Sequence, residues 1–134
     1  MDDRIRKALR EARVVAVVGI SGDPEKPSHY VARYLQEAGY RIGPVNPTLP
    51  EVLGDMCFPA LADFVGGVDI VDIFRRPEAV PPIVEEAIAA RASCVWMQEG
   101  VSHADAARRA EEAGLLVVQD ACIKKVLQQM GGKP

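Results

Sequence analysis

Apolar runs too short to be helices alternate along this chain with stretches whose apolar residues recur every third or fourth position. The first run is Val14, Val15, Ala16, Val17 and Val18. Small or β-branched residues without a charge are the composition of a strand buried on both faces. The run stops at Gly19 and gives way to the turn formers Ser21, Gly22, Asp23 and Pro24. Further strands are predicted over Tyr40–Val45, Val68–Phe74, Cys94–Met97 and Leu115–Val118. Before the first strand, Ile5, Ala8, Leu9 and Ala12 fall on one face and predict a helix over Asp3–Ala12. After the turn, Ser28 is a candidate N-cap, Val31, Tyr34, Leu35 and Ala38 form an apolar stripe, and Gly39 ends the helix. Pro81 and Pro82 fit only the first turn of a helix that runs to about Arg91. Ser102 with Asp105 resembles a capping box for a helix ending at Ala113, and a last helix is predicted over Ala121–Gln129. Thr48–Gly67 is the least regular part. A short edge strand is expected at Val52–Leu53 or Cys57–Phe58, then a short helix through Leu61, Ala62, Phe64 and Val65. Gly131–Pro134 is expected to fray.

Strands alternating with helices predict an α/β fold: a Rossmann-like, doubly wound parallel sheet in a three-layer α/β/α sandwich, one domain over residues 1–134. Ligands of such sheets bind beyond the carboxyl ends of the strands, where the strand order reverses. The candidate loops are therefore Gly19–Lys26, Asn46–Leu49, Phe74–Pro77, Met97–Gly100 and Gln119–Cys122. A strand, glycine turn and helix N-terminus attract phosphate. The first loop departs from G-x-G-x-x-G: Ser21 and Pro24 stand where the second and third glycines would be. A dinucleotide site also wants a carboxylate after the second strand, where this chain has Asn46-Pro47. Both departures point away from NAD and towards another phosphate-bearing nucleotide.

Composition narrows this further. With 134 residues and 49% hydrophobic composition the chain can bury one core. A net charge of −3 makes no case for nucleic acid or an anionic membrane, so a ligand with several phosphates needs locally placed cations. The apolar runs are too short to span a bilayer, and MDDRIRKALREAR lacks the apolar core of a signal peptide. Cys57, Cys94 and Cys122 make an odd set without C-x-x-C, which fits a reducing cytoplasm rather than a disulfide framework or a zinc site.

Taken together, VVGISGDPEKPS, YRIGPVNPT, VDIVDIFRRPEAVPPIVEEAI, VWMQEGV and AGLLVVQDACI resemble the small single-domain CoA-binding proteins of bacteria and archaea. They are similar, more loosely, to the CoA-binding domain of the succinyl-CoA synthetase alpha subunit. The resemblance implies noncovalent binding of coenzyme A or an acyl-CoA, without ligase activity. The synthetase's phosphorylated histidine lies in another domain. Carried over by position, Ser21 and Gly22 hold the CoA phosphates, and Met97, Gln98 and Glu99 lie along the nucleotide or the pantetheine arm. Leu49 stands at or near a CoA-binding lysine of the synthetase, a contact for which Lys26 or Arg75 is the replacement. Lys26 also stands where the small family often has arginine.

CoA needs donors for its pyrophosphate, cations for its 3′-phosphate and an apolar slot for adenine. Gly19–Ser28 offers the first, Lys26, Arg75 and Arg76 the second, and Phe74, Ile20 and Pro47 the third. The expected cofactor-binding residues are Gly19, Ile20, Ser21, Gly22, Lys26, Ser28, Asn46, Pro47, Phe74, Arg75, Met97, Gln98, Glu99 and Gly100, with no catalytic or metal-ligating residue. Plainer roles compete at several positions. Ser28 reads first as a helix cap, Ser21 can bond its own turn, and Arg75 is open between ligand contact and solvated surface. Arg76 reads as surface. His29 has no ligating neighbours, and His103 reads as an exposed helix residue. Asp69 and Asp72 read as structural. Glu99 is the best acid candidate, and Cys122 and Cys94 read as buried and inert. The alternatives to a binding module are an NAD(P)-binding oxidoreductase, a CoA-dependent transferase using Glu99, and a regulator that reports CoA or redox state to a protein partner. A homodimer is also left open.

Overall fold

The computed structural model describes residues 2–134. Its centre is a parallel sheet of five strands, β1 (Val14–Val18), β2 (Arg41–Val45), β5 (Ile70–Ile73), β6 (Cys94–Met97) and β7 (Leu116–Val118), in the order β2-β1-β5-β6-β7. Strand alternation sends Val15, Val17, Ile42, Ile70, Cys94 and Trp96 to one face. There they meet α1 (Asp3–Glu11), α2 (Pro27–Glu37) and α5 (Ile123–Gln129) through Leu9, Val31, Leu35, Ile123 and Leu127. Ala16, Val18, Val71, Ile73, Val95 and Met97 face the other way, against α3 (Val80–Ala89) and α4 (Ala104–Glu112). Both faces are covered, as the predicted doubly wound sheet requires. The order reverses between β1 and β5, which places the switch point at the loops after those two strands.

The irregular segment differs from expectation. It forms a two-stranded antiparallel ribbon of β3 (Glu51–Val52) and β4 (Asp55–Met56), separate from the main sheet. Leu53 and Gly54 turn it with φ of 52° and 83°, and Phe58 makes a single parallel bridge to Val45. The expected helix at Leu61–Val65 is one 3-10 turn over Leu61–Asp63. Beyond it Phe64 lies over Gly43, where an added Cβ would stand 2.6 Å from the ring. Two helix starts also shift. Lys26 is the N-cap position of α2, with Pro27 first in the helix, so Ser28 is no cap. α4 is capped by His103, whose Nδ1 accepts from the Ala106 N–H at 3.0 Å, so the Ser102–Asp105 box does not form. The tail is docked: Lys133 Nζ donates to the Ala12 carbonyl at 2.8 Å and sits 4.6 Å above the Tyr40 ring.

Asp69 accepts the N–H groups of Arg13 and Val14, both at 2.9 Å, and so ties the start of β1 to β5. Asp72 is different. It is fully buried in the middle of β5, beside Val17 and Trp96, and neither carboxyl oxygen has a hydrogen-bond partner. Burial raises its pKa well above the ordinary carboxylate value, so the folded protein holds it protonated. Unfolding lets that proton go at any pH above about 4. Stability from this group is therefore highest in acid and falls as pH rises, until the raised folded pKa is passed. The slope is about 1.4 kcal/mol per pH unit at most. Asp72→Asn should remove this dependence, and urea unfolding at pH 5 and pH 8 should show the variant gaining on the parent as pH rises. Parallel profiles would mean that Asp72 titrates normally.

Candidate functional site

At the carboxyl end of the sheet the switch point opens into a cleft of about 750 Å³. One wall is the loop after β1 and the start of α2, with Ser21, Lys26, Pro27, Ser28, Tyr30 and Val31. The opposite walls come from Phe74–Pro77 after β5 and Gln98–Val101 after β6, closed by Cys122, Lys124, Lys125 and Gln128 of α5 and its approach. The glycine after β1 makes this possible. Gly19 has φ +91°, and an added Cβ would stand 2.5 Å from the Phe74 carbonyl oxygen and 2.8 Å from Arg75 Cδ. No L-residue with a side chain fits there.

The loop after β1 is held from three sides. Asn46 Nδ2 donates to the Ile20 carbonyl at 2.7 Å. Ser28 Oγ accepts the Ser21 N–H at 2.9 Å. His29 Nδ1 lies 2.9 Å from the Ser21 carbonyl, an oxygen that can only accept, so Nδ1 carries the proton. Ser21 Oγ accepts the Asp23 N–H at 3.0 Å, the turn bond that competes with a ligand role, and its own proton stays available. The N–H groups of Ser21, Asp23, Glu25 and Lys26 are thereby used. Those of Ile20, Gly22 and Ser28 carry no hydrogen bond among the described residues.

Charge is one-sided. Lys26, Arg75, Arg76, Lys124 and Lys125 line the cleft against a single carboxylate, Glu99. Glu99 pairs with Lys125 at 2.9 Å, an exposed contact that raises the Lys125 pKa through that hydrogen bond. Lys124 Nζ sits 5.1 Å from the Tyr30 ring centroid and 5.7 Å from that of Tyr34, which holds its stem along α2. A second cleft of about 640 Å³ lies at the amino end of the sheet between α1 and β7. It sets Arg4 and Lys7 against Glu11, Asp69 and Glu111, so it has no comparable bias.

Of the residues expected from sequence, the cleft gathers Ser21, Lys26, Ser28, Phe74, Arg75, Gln98, Glu99 and Gly100. Ile20 and Met97 are fully buried in the two core layers and offer a ligand no side chain. Asn46 braces the loop from behind, and Pro47 lies away from the cleft lining, so Phe74 alone remains of the expected adenine slot. Gly19 and Gly22 shape the loop, and Leu49 packs 3.4 Å from where a Gly22 Cβ would stand. Gln98 is buried and its Oε1 accepts the Ile123 N–H at 3.1 Å, capping α5 beneath the cleft. Arg76, expected at the surface, lines the cleft, and His103, expected as an exposed helix residue, is a cap. Tyr30, Lys124 and Lys125 were missed. The one sequence signal for the lysines is their pairing in the first turn after the fifth candidate loop.

Comparison with known proteins bears on this geometry. A family model described as CoA binding domain matches residues 13–128. The chain is 40% identical over 120 residues to the protein YneT of Bacillus subtilis, covering 90% of this chain and 89% of that one. The solved structure of cell-free ID.343 from Thermus thermophilus superposes with a TM-score of 0.92 at 39% identity, over 97% of this chain and 99% of that one. The ADP-forming acetate–CoA ligase I of Archaeoglobus fulgidus is 32% identical over 74 residues, 55% of this chain but 11% of the ligase.

The bracing of the loop is testable. Asn46→Asp puts a carboxylate oxygen where an amide N–H now meets the Ile20 carbonyl. It should cost about 1–3 kcal/mol at neutral pH, because two acceptors then face each other in a half-buried site. Thermal unfolding at pH 7 checks it, with unchanged stability as the contrary result.

Proposed function

The chain belongs to the CoA binding domain family, and from that premise we propose that it holds coenzyme A or an acyl-CoA noncovalently in the cleft at the switch point. The observation that carries the reading is the charge of that cleft. Five cations face one carboxylate in a protein whose net charge is −3. Such a field suits a ligand with several phosphates and repels the cationic ligands that the rest of the surface would attract.

In this reading the pyrophosphate meets the unused N–H groups of Ile20, Gly22 and Ser28 and the Ser21 hydroxyl, at the N-terminus of α2. Lys26 and Arg75 flank it. Arg76, Lys124 and Lys125 stand within the same cleft for the 3′-phosphate, and Phe74 and Tyr30 offer ring faces for adenine. The pantetheine arm then runs along Gln98–Gly100. Binding needs nothing reactive from these residues, so the domain holds its ligand and carries out no ligase step of its own. The setting that fits is the cytoplasm, where free CoA occurs and where three unpaired buried cysteines stay reduced. Among the described residues no helix is long and apolar enough to cross a membrane.

Calorimetry with CoA, acetyl-CoA, ATP and NAD tests the reading. CoA and acetyl-CoA should bind more tightly than ATP or NAD, and affinity should fall steeply with salt. Arg75→Ala and Lys124→Ala should each weaken CoA by roughly tenfold or more, the loss of one charge-assisted bond. No heat with CoA at millimolar concentration would end the proposal, and tighter binding of NAD would favour the oxidoreductase.

A further inference from the structure

Across the sheet from α5, on the β2 side, the protein carries a second surface of opposite character. Met56 is 71% exposed and Val65 79%, the large apolar residues most open to solvent among those described. They are not isolated. Along the extended stretch after the ribbon turn, Cys57 points inward and is buried, while Met56 and Phe58 point outward. Phe58 packs edge-on against Phe64 with centroids 5.0 Å apart, and Val65 follows Phe64 in the chain. Phe64 in turn is seated on Gly43, so the aromatic pair is anchored to the edge strand of the sheet. The result is a small apolar patch with a rigid centre and two exposed flanks.

Its rim is acidic. Glu51 is the cross-strand partner of Met56 and Asp63 stands just before Phe64, while Asp55 turns to the other face of the ribbon, where its Oδ2 accepts from Gln36 Nε2 at 3.3 Å. Between Arg41 and Arg75 the sequence contains no Lys or Arg at all. This face therefore carries the negative charge that the cleft lacks. An apolar centre with an anionic rim repels nucleic acid, anionic lipid and acidic proteins, and selects one kind of occupant by complementarity.

We propose that the surface formed by Met56, Phe58, Phe64 and Val65 is a docking site for a cationic amphipathic segment of a partner protein. Apolar side chains of that segment lie on Met56 and Val65, and its Lys or Arg residues reach Glu51 and Asp63. The patch is small, so the contact is weak and transient. The proposal stands apart from CoA binding, since none of these residues lines the cleft.

The test is a titration of the whole protein with a synthetic amphipathic helix of Leu and Lys, followed by amide NMR. Shifts should concentrate in residues 51–65 and fade as salt rises. The same helix with Glu in place of Lys should bind at least about tenfold more weakly. Met56→Ser with Val65→Ser removes only exposed side chains, so the fold should survive and the shifts should vanish. Glu51→Lys should weaken binding without touching the apolar centre. Absence of shifts in 51–65, equal binding of the acidic helix, or a dimer in sedimentation that the double serine variant dissolves would each overturn the proposal.

Discussion

The architecture of the carboxyl end rests on how closely two strand exits pass one another. β1 and β5 are hydrogen-bonded neighbours, and just beyond their last paired residues the chain must turn in opposite directions. Gly19 turns with a positive φ, directly against the carbonyl of Phe74. A side chain at that point would stand 2.5 Å from that oxygen, so the two loops would have to move apart. It would move Ser21 and Ser28 relative to Arg75, across the cleft they line together. The shape of the cleft follows from this close approach.

Two electrostatic choices are stacked on that frame. At the carboxyl end the cations come from two separate loops and one helix, so no single sequence segment looks basic, yet their side chains meet in one cleft. Inside the sheet a carboxyl is kept neutral by the apolar residues around it. Cys94, on the same face, has its thiol pushed up to about 12, chiefly by burial. Burial thus favours the neutral form of both groups beneath a strongly charged mouth. The field of the cleft is then set by surface cations alone.

What could be read in the sequence was what the chain encodes locally. β1 is uninterrupted and apolar because both its faces are covered, and that pattern is unambiguous. The ribbon turn was invisible because Leu53 occupies a position of positive φ where Asn, Asp or Gly is the usual signal. The cap of α4 was misplaced by one residue because an imidazole does the work of a hydroxyl. Met97 was expected along the ligand from the resemblance of its loop to that of the synthetase, but strand alternation points its side chain into the α3–α4 layer. Asn46 was found for what it lacks, a carboxylate. Its partner, the Ile20 carbonyl, lies 26 residues away and no local pattern links them. Lys124 and Lys125 sit on a helix rather than in a loop, and only the packing of α5 against α2 brings them to the cleft.

The loop after β1 is fixed before any ligand arrives. Three side chains from two elements, Asn46, Ser28 and His29, saturate the Ile20 carbonyl, the Ser21 N–H and the Ser21 carbonyl. A loop so fixed loses little conformational freedom when a ligand arrives, so more of each new hydrogen bond appears as affinity. The same bonds occupy the groups that chemistry would need. The imidazole of His29 is buried with its Nδ1 proton given to a carbonyl, and Ser21 Oγ accepts from its own turn. Glu99, the one carboxylate of the cleft, is tied to Lys125 rather than set beside a nucleophile. Ser28, His29 and Asn46 are thus spent on holding the backbone of this loop in place.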